Sequence, residues 1–386
     1  MCALLAALAP CVSWLLARDG GETTAPPLAA AGLQFFAPIP AVEPPPGAPG
    51  AQQRQLIEQV RLTDHTYCSY LVSSQYPHES RPAAHNPDQL YPNQPLLESN
   101  PLRAPGGNSD PEVMLQTAQS RVYLAAGESV TLSLRALDAR GAALPLVVTR
   151  ALAQGLRYDG QQPGPRVTLD FVETDGAWRT SLTPAQGALA AFHGTIRAEV
   201  RYSAGGRQGV VLFDLLYSPT LPAQWSGQRS ESREAGSLQF VLGLDVRQPG
   251  RYIVSGRVDD ANGRPFALAS FNDLLAAGER QVRLTVFGKL LHDGAPALPL
   301  VLRDVDGYLL RENVDPDRLL VPRLEGKVLA STARSLAGFS NAEWQSEERS
   351  RYLAEYAKDR SAARSALARF DPGLAPPASV CAAPAQ

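Results

Sequence analysis

Four side chains with metal-ligand chemistry fall close together near the start of the chain: His65, Cys68, His78 and His85. Imidazole nitrogen and thiolate sulfur are good donors to Zn and Cu. Their spacing matches no compact zinc motif, and the Pro-punctuated stretch around them reads as loop. They are therefore read first as solvent-facing or hydrogen-bonded loop residues, and only second as a metal site. Two acidic turns, "DDANG" at 259–263 and "DVDG" at 304–307, gather oxygens of the kind calcium wants. Neither continues into a twelve-residue loop with a terminal Glu, and Asp, Asn and Gly are also what tight turns require. Trp178, Trp225 and Trp344 could serve as sugar platforms, but buried packing is the expectation for each. No G-x-S-x-G, H-E-x-x-H, C-x-x-C, phosphate-binding or dinucleotide-binding motif occurs, and the chain has 5 His. No catalytic residue and no cofactor is expected.

The elements that would position such residues are mostly strands. From Arg121 onward apolar and polar residues alternate: Val130, Leu132 and Leu134 face one way, Thr131, Ser133 and Arg135 the other. "DARG", "TDG" and "SAGG" punctuate this pattern as hairpin turns. After a boundary at "SPTLPAQWSG" (218–227) a second series follows, with "GRYIVSGRVDDANGRPFAL" at its centre. Arg135, Asp138, Ala139 and Gly141 recur in order and spacing as Arg257, Asp260, Ala261 and Gly263, which predicts equivalent hairpins in two similarly built sandwiches. The fold class is all-β: two tandem immunoglobulin-like β-sandwich domains with an irregular Pro-rich N-terminal segment and a C-terminal α-helix. The expected divisions are a leader at 1–20, a disordered Pro-rich linker at 21–53, an irregular segment at 54–118, sandwiches at 119–220 and 221–325, a helical segment at 326–372 and a disordered tail at 373–386. The helix is expected to begin at a capping box, Ser340 with Glu343. Its stripe is Tyr352, Tyr356, Ala363, Leu367 and Phe370.

Bulk composition narrows the function. The 386 residues carry 36 basic and 38 acidic side chains, a net charge of -2. That balance excludes a phosphate-tracking surface, so nucleic acid is not an expected partner. The apolar run from Cys2 to Ala17 has the length of a secretory h-region but no basic residues before it. It predicts export, to the periplasm or outside, with membrane contact only through this leader if it is retained. Cys11 follows Pro10, a poor fit to a lipoprotein site. With the leader removed, Cys68 and Cys381 are left. Two readings stay open: a disulfide tying the N-terminal segment to the tail, or two unpaired thiols, with the looseness of the tail favouring the second.

The runs "DGAWRTSLTP", "GRYIVSGR", "FGK" and "FSNAEW", with the strands between them, resemble an uncharacterised proteobacterial envelope family catalogued as domain-of-unknown-function family 4785. The resemblance covers about residues 115–355. It implies a signal peptide, an N-terminal segment, an immunoglobulin-like domain and a C-terminal β domain. It brings no known activity and no catalytic residues. The leader, without basic residues, departs from the pattern. The expectation is a non-catalytic exported protein that binds or scaffolds an envelope or extracellular protein or glycan. The alternatives are a glycan- or metal-binding periplasmic or secreted protein, and an unrecognised hydrolase.

Overall fold

The computed structural model describes residues 50–92, 94–103, 109–157 and 163–382. The leader, most of the Pro-rich linker and the last four residues lie outside them. Alternation builds four sheets. One sandwich sets the order Leu96–Arg103, Ser109–Gln119, Val130–Asp138, Ala177–Leu182, Val172–Thr174 against the order Tyr123–Ala125, Arg207–Ser218, Gly194–Ala204, Leu146–Gly155, Arg166–Thr168. Leu132, Leu134, Ile196, Val200 and Leu215 fill the layer between them at 1% exposure or less. Each such side chain contributes about 1.5–3 kcal/mol by leaving water. The other sandwich faces the order Ser80–Pro82, Pro265–Leu275, Gly250–Asp259, Val301–Leu310, Arg318–Ala330 with Ala223–Glu234, Ser237–Val246, Gly278–Val286. Phe240, Leu244, Val254, Val282 and Leu302 form its core. The architecture is all-β tandem sandwich, as the alternation predicts.

The repeated turn is real. In the first, Asp138 N–H donates to the Ala142 carbonyl and Gly141 N–H to the Asp138 carbonyl, both at 2.9 Å. Asp138 Oδ1 accepts from Arg140 N–H and Ala142 N–H at 2.8 Å. In the second, Asp260 makes the same pair with Arg264 and Gly263, and its Oδ1 accepts from Asn262 and Arg264 at 2.8 and 3.0 Å. Gly141 and Gly263 sit at φ 82° and 78°, where a Cβ would clash with the backbone. The hairpins around these turns are not equivalent. Gly250–Asp259 pairs with Pro265–Leu275 along its length. Across its own turn Val130–Asp138 pairs only briefly, Ala136 and Leu137 with Leu144 and Ala143, after which the chain crosses to the opposite sheet at Leu146.

The N-terminal segment is not irregular. Ala51–Ser73 is a 23-residue helix, α1. Ser80–Pro82 adds an edge strand to the second sandwich. Leu96–Arg103 and Ser109–Gln119 belong to the first sandwich, which therefore begins near 96 rather than 119. Pro101 is tolerated because its strand is an edge. The second sandwich ends at Ala330, not 325.

Two further helices follow, α2 (Gly288–Gly294) and α3 (Glu347–Phe370). α3 starts later than the capping box predicts. Ser346 is its cap, accepting from Arg349 N–H at 3.0 Å. Ser340 instead holds the chain against the second sandwich through its own N–H, donated to the Gly236 carbonyl, and Glu343 pairs with the Arg349 guanidinium. The α3 stripe splits. Ala363 and Leu367 are buried against Val60 of α1, Tyr352 and Tyr356 meet Tyr70 edge-on, and Phe370 is exposed. No helix among the described residues is long and apolar enough to cross a membrane.

Candidate functional site

Cys68 and Cys381 are joined by a disulfide, with Cα atoms 5.1 Å apart. This corrects the leaning toward free thiols. The tail to residue 382 is not loose: Leu374 packs on the α1–α3 contact, and Val380 N–H donates to Asp64 at 2.8 Å. The bond also removes Cys68 from any metal set, because a disulfide sulfur is no thiolate. The other three candidates go to different places. His65 lies on α1, His78 follows it with its ring 6.5 Å from that of Trp344, and His85 ends a short 3-10 turn. No group of three or more metal-binding side chains gathers among the described residues.

The acidic turns are likewise taken up by the protein. Asp260 Oδ2 receives the Arg264 guanidinium at 2.8 Å. Asp304 Oδ1 accepts Gly326 N–H at 2.7 Å, and its Oδ2 lies 3.1 Å from Arg257. Trp178 and Trp225 pack against the two cores and donate to the Leu146 and Pro322 carbonyls at 2.7 and 2.6 Å. Neither offers a free platform.

A different constellation forms along the seam between the sandwiches. The first contributes Tyr123 from an edge strand, with Arg121 and Glu128 beside it. The second contributes Asp306, Tyr308, Arg318 and Arg323. The strap of residues 83–92 adds Leu90, Tyr91 and Pro92. Three adjoining cavities result, of about 140, 260 and 330 Å³. The smallest shares Pro92 and Arg323 with the 260 Å³ cavity and Tyr123 and Arg318 with the largest.

Cross-seam contacts fix this geometry. Arg121 reaches Glu128 at 3.2 Å in its own domain and Glu325 at 2.9 Å in the other. Arg318 is held by Asp317 at 2.8 Å and lies over the rings of Tyr308 and Tyr123, 4.7 and 5.7 Å from their centroids. Arg257 clamps the strap. It donates to the Leu90 carbonyl at 3.1 Å, sits over Tyr91 at 4.6 Å, and is neutralised by Asp259 at 2.8 Å. Tyr252, in the "GRY" stretch, is fully buried, and its hydroxyl sits 3.0 and 2.7 Å from the Pro222 and Gln248 carbonyls, so it ties the interdomain linker to the second core. Burial pushes that hydroxyl up to about 12.

Arg323 differs from its neighbours. It is half-buried between two of the cavities, and no acceptor or carboxylate among the described residues lies within bonding distance of it. Burial lowers its pKa; Asp306 opposes this, Arg121 adds to the lowering, and Glu128 and Glu325 also oppose it. It stays charged, because arginine does not deprotonate in proteins. Sequence reasoning singled out only the "DVDG" turn, which supplies Asp304, Asp306 and Gly307 to the lining, and missed the constellation, because its tyrosines and arginines come from separated stretches, each unremarkable alone.

The fold and seam define a class: a tandem β-sandwich protein whose helical ends are closed by a disulfide. No protein-family model matches the chain, and no curated protein does. Solved structures do match. A DUF4785 family protein from Legionella pneumophila subsp. pneumophila str. Philadelphia 1 is 15% identical, with TM-score 0.39, over 56% of this chain and 57% of its own. The chain thus spans little more than half of that protein's length. A chimeric titin Z1Z2 functionalized with a KLER exogenous peptide from decorin is 13% identical over 60% of this chain and 97% of its own, with TM-score 0.19. The fibronectin(III)-like modules of Clostridium thermocellum CbhA are 14% identical over 53% and 87%, with TM-score 0.20.

Proposed function

We propose that this chain is an exported, non-catalytic β-sandwich protein of the bacterial cell envelope, akin to the domain-of-unknown-function family 4785, and that it binds another envelope or extracellular molecule at the interdomain seam. The observation that carries the reading is the seam itself: cavities lined by tyrosines and arginines, built jointly by both domains and the strap. Concave sites at domain junctions with a few convergent polar groups are where ligands bind. The Cys68–Cys381 bond supports export, because such bonds persist in oxidising compartments. The kinship rests on the "GRYIVSGR" and "FGK" motifs. Non-catalysis is supported by the chemistry of the seam. Its carboxylates engage guanidiniums, N–H groups or hydroxyls, and its histidine, His193, faces the Arg311 guanidinium at 3.4 Å rather than a nucleophile.

Site-specific photo-crosslinking in cells tests this. A crosslinker at Tyr91 in the groove is expected to trap an envelope or extracellular component. One at Leu274, 73% exposed and not among the residues lining the groove, is not. Adducts at Leu274 alone would overturn the seam as the binding site. Free thiols at Cys68 and Cys381 with the protein retained in the cytoplasm would overturn export.

A further inference from the structure

Among the described residues, a row of backbone groups on the first sandwich is left open. Arg207–Ser218 pairs along its length with Gly194–Ala204. On its other side Tyr123–Ala125 covers only Leu216, Tyr217 and Ser218. The Val122 carbonyl takes the Leu216 N–H at 2.8 Å, and the Gln119 side chain donates to the Asp214 carbonyl at 2.9 Å. From 207 to 213 no described strand lies alongside. We propose that this open edge docks an extended segment of a partner protein, taken up as an added strand. It is independent of the seam, because none of residues 207–213 lines those cavities.

The backbone groups set the mode of binding. The Asp214 carbonyl and the Leu216 N–H both point to the open side. In an antiparallel ladder every second residue turns its N–H and its carbonyl the same way. Gln208, Val210 and Leu212 therefore turn theirs outward, and no hydrogen bond among the described residues takes them. An extended backbone presents donors and acceptors at the matching repeat.

The side chains set the preference. Val210 and Leu212 are 53% and 49% exposed on the outer face. Asp214, beyond them, is already paired with Arg197 at 2.7 Å. The slot therefore suits a segment with uncharged aliphatic side chains at alternate positions.

The edge is also unguarded. Natural sheets protect long edges with proline, charge, bulges or a cover. Leu96–Arg103 carries Pro101. Ala223–Glu234 shifts register between Trp225 and Arg229 and ends in alternating Arg and Glu. Arg318–Ala330 has its Pro322 and Val328 carbonyls taken by Trp225 and Arg229. Between Arg207 and Asp214 there is neither proline nor charge.

The closed end of the slot decides against a second copy as the occupant. Entering by the same edge, a copy that used all of 207–213 would set its own Gly205 and Gly206 turn against Asp214 and Leu215. Gln119 and Val122 already stand there. A free segment leaves the edge at Phe213 without meeting them.

Amide-resonance titration of the whole disulfide-bonded chain with a synthetic peptide tests the proposal. The peptide alternates Val and Thr over about seven residues, a typical strand length, between terminal Lys residues. Two further versions are N-methylated, one at every Val and one at every Thr. The parent peptide is expected to move the Gln208, Val210 and Leu212 amide resonances and to slow their exchange. The methylated version whose methyls face the edge should bind at least about tenfold more weakly. Val210→Lys and Leu212→Pro should each weaken the parent about tenfold or more, the second by removing an outward N–H alone. Thermal melts establish that the variants fold, and the methylated peptides need no variant. No binding of the parent peptide, shifts confined to other residues, or equal binding by both variants overturns the edge as a docking site. Equal binding of all three peptides overturns strand addition. Self-association of the peptide-free chain that Val210→Lys abolishes would give the edge to a second copy and overturn the partner assignment.

Discussion

At the residue scale, the second sandwich depends on a charge cluster within its own sheet. The side chains of Arg257 and Asp259 are 9% and 5% exposed and meet at 2.8 Å. Asp304 neutralises Arg257 further at 3.1 Å, and Arg303 approaches Asp259 at 3.5 Å. A buried pair gains little over an apolar pair, because desolvation offsets the attraction, but removing one partner strands the other charge. Asp259→Asn is therefore expected to cost about 3 kcal/mol in urea unfolding of the intact protein. A loss below about 1 kcal/mol would mean that water screens the cluster. Because Arg257 also holds the Leu90 carbonyl, the same variant should loosen the strap and speed amide exchange around Tyr91.

At the element scale, α1 and α3 are held together by more than apolar contact. Val60, Ala363 and Leu367 form a small buried cluster. Beside it Asp64, 3% exposed, receives Arg360 at 2.9 Å, Arg364 at 3.0 Å and Val380 N–H at 2.8 Å. The disulfide spans 313 positions, so it denies the unfolded chain a very large set of open conformations. Reduction, or Cys381→Ser, is expected to lower stability by about 2–5 kcal/mol. Exchange of α1 amides should accelerate more than exchange in the sandwich strands. An unchanged melting temperature under reductant would show that the Asp64 contacts suffice.

At the scale of the whole molecule, the seam carries a pH dependence. His193 comes from the first sandwich; Arg311, Asp315 and Arg318 come from the second. Burial and then Arg311 lower the His193 pKa from 6.5, against the opposing pull of the Arg318 backbone and Asp315. Arginine always donates, so His193 Nδ1 accepts and the ring is neutral. A depressed folded-state pKa means that the unfolded chain takes up the proton first. The neutral-ring contribution is complete above about 6.5 and is lost as pH falls from there through the folded value. Denaturation midpoints are expected to drop between about pH 7.5 and 5.5, and His193→Gln should flatten that slope. An equal slope in the variant would place the dependence elsewhere.

How much of this was legible beforehand differs by element. The paired sandwiches follow from period-two alternation in stretches such as Val130–Leu134, because a half-buried strand must put every second side chain into the core. The Asp138 and Asp260 turns follow from four-residue chemistry that is complete within itself. α1 was hidden for the opposite reason: its buried face, Val60, Asp64 and Cys68, includes a carboxylate that reads as surface until Arg360 and Arg364 arrive from the far end of the chain. The strand around Pro101 was hidden because only its place at a sheet edge excuses the proline. Of the candidate site only the "DVDG" turn drew notice, and as a possible calcium ligand rather than the wall of a groove. Local sequence determined which residues alternate, turn and cap. Only the tertiary structure decided that Cys68 meets Cys381, and that Tyr91, Tyr123, Tyr308 and Arg323 share one groove, since those contacts join segments too distant for any local pattern to couple.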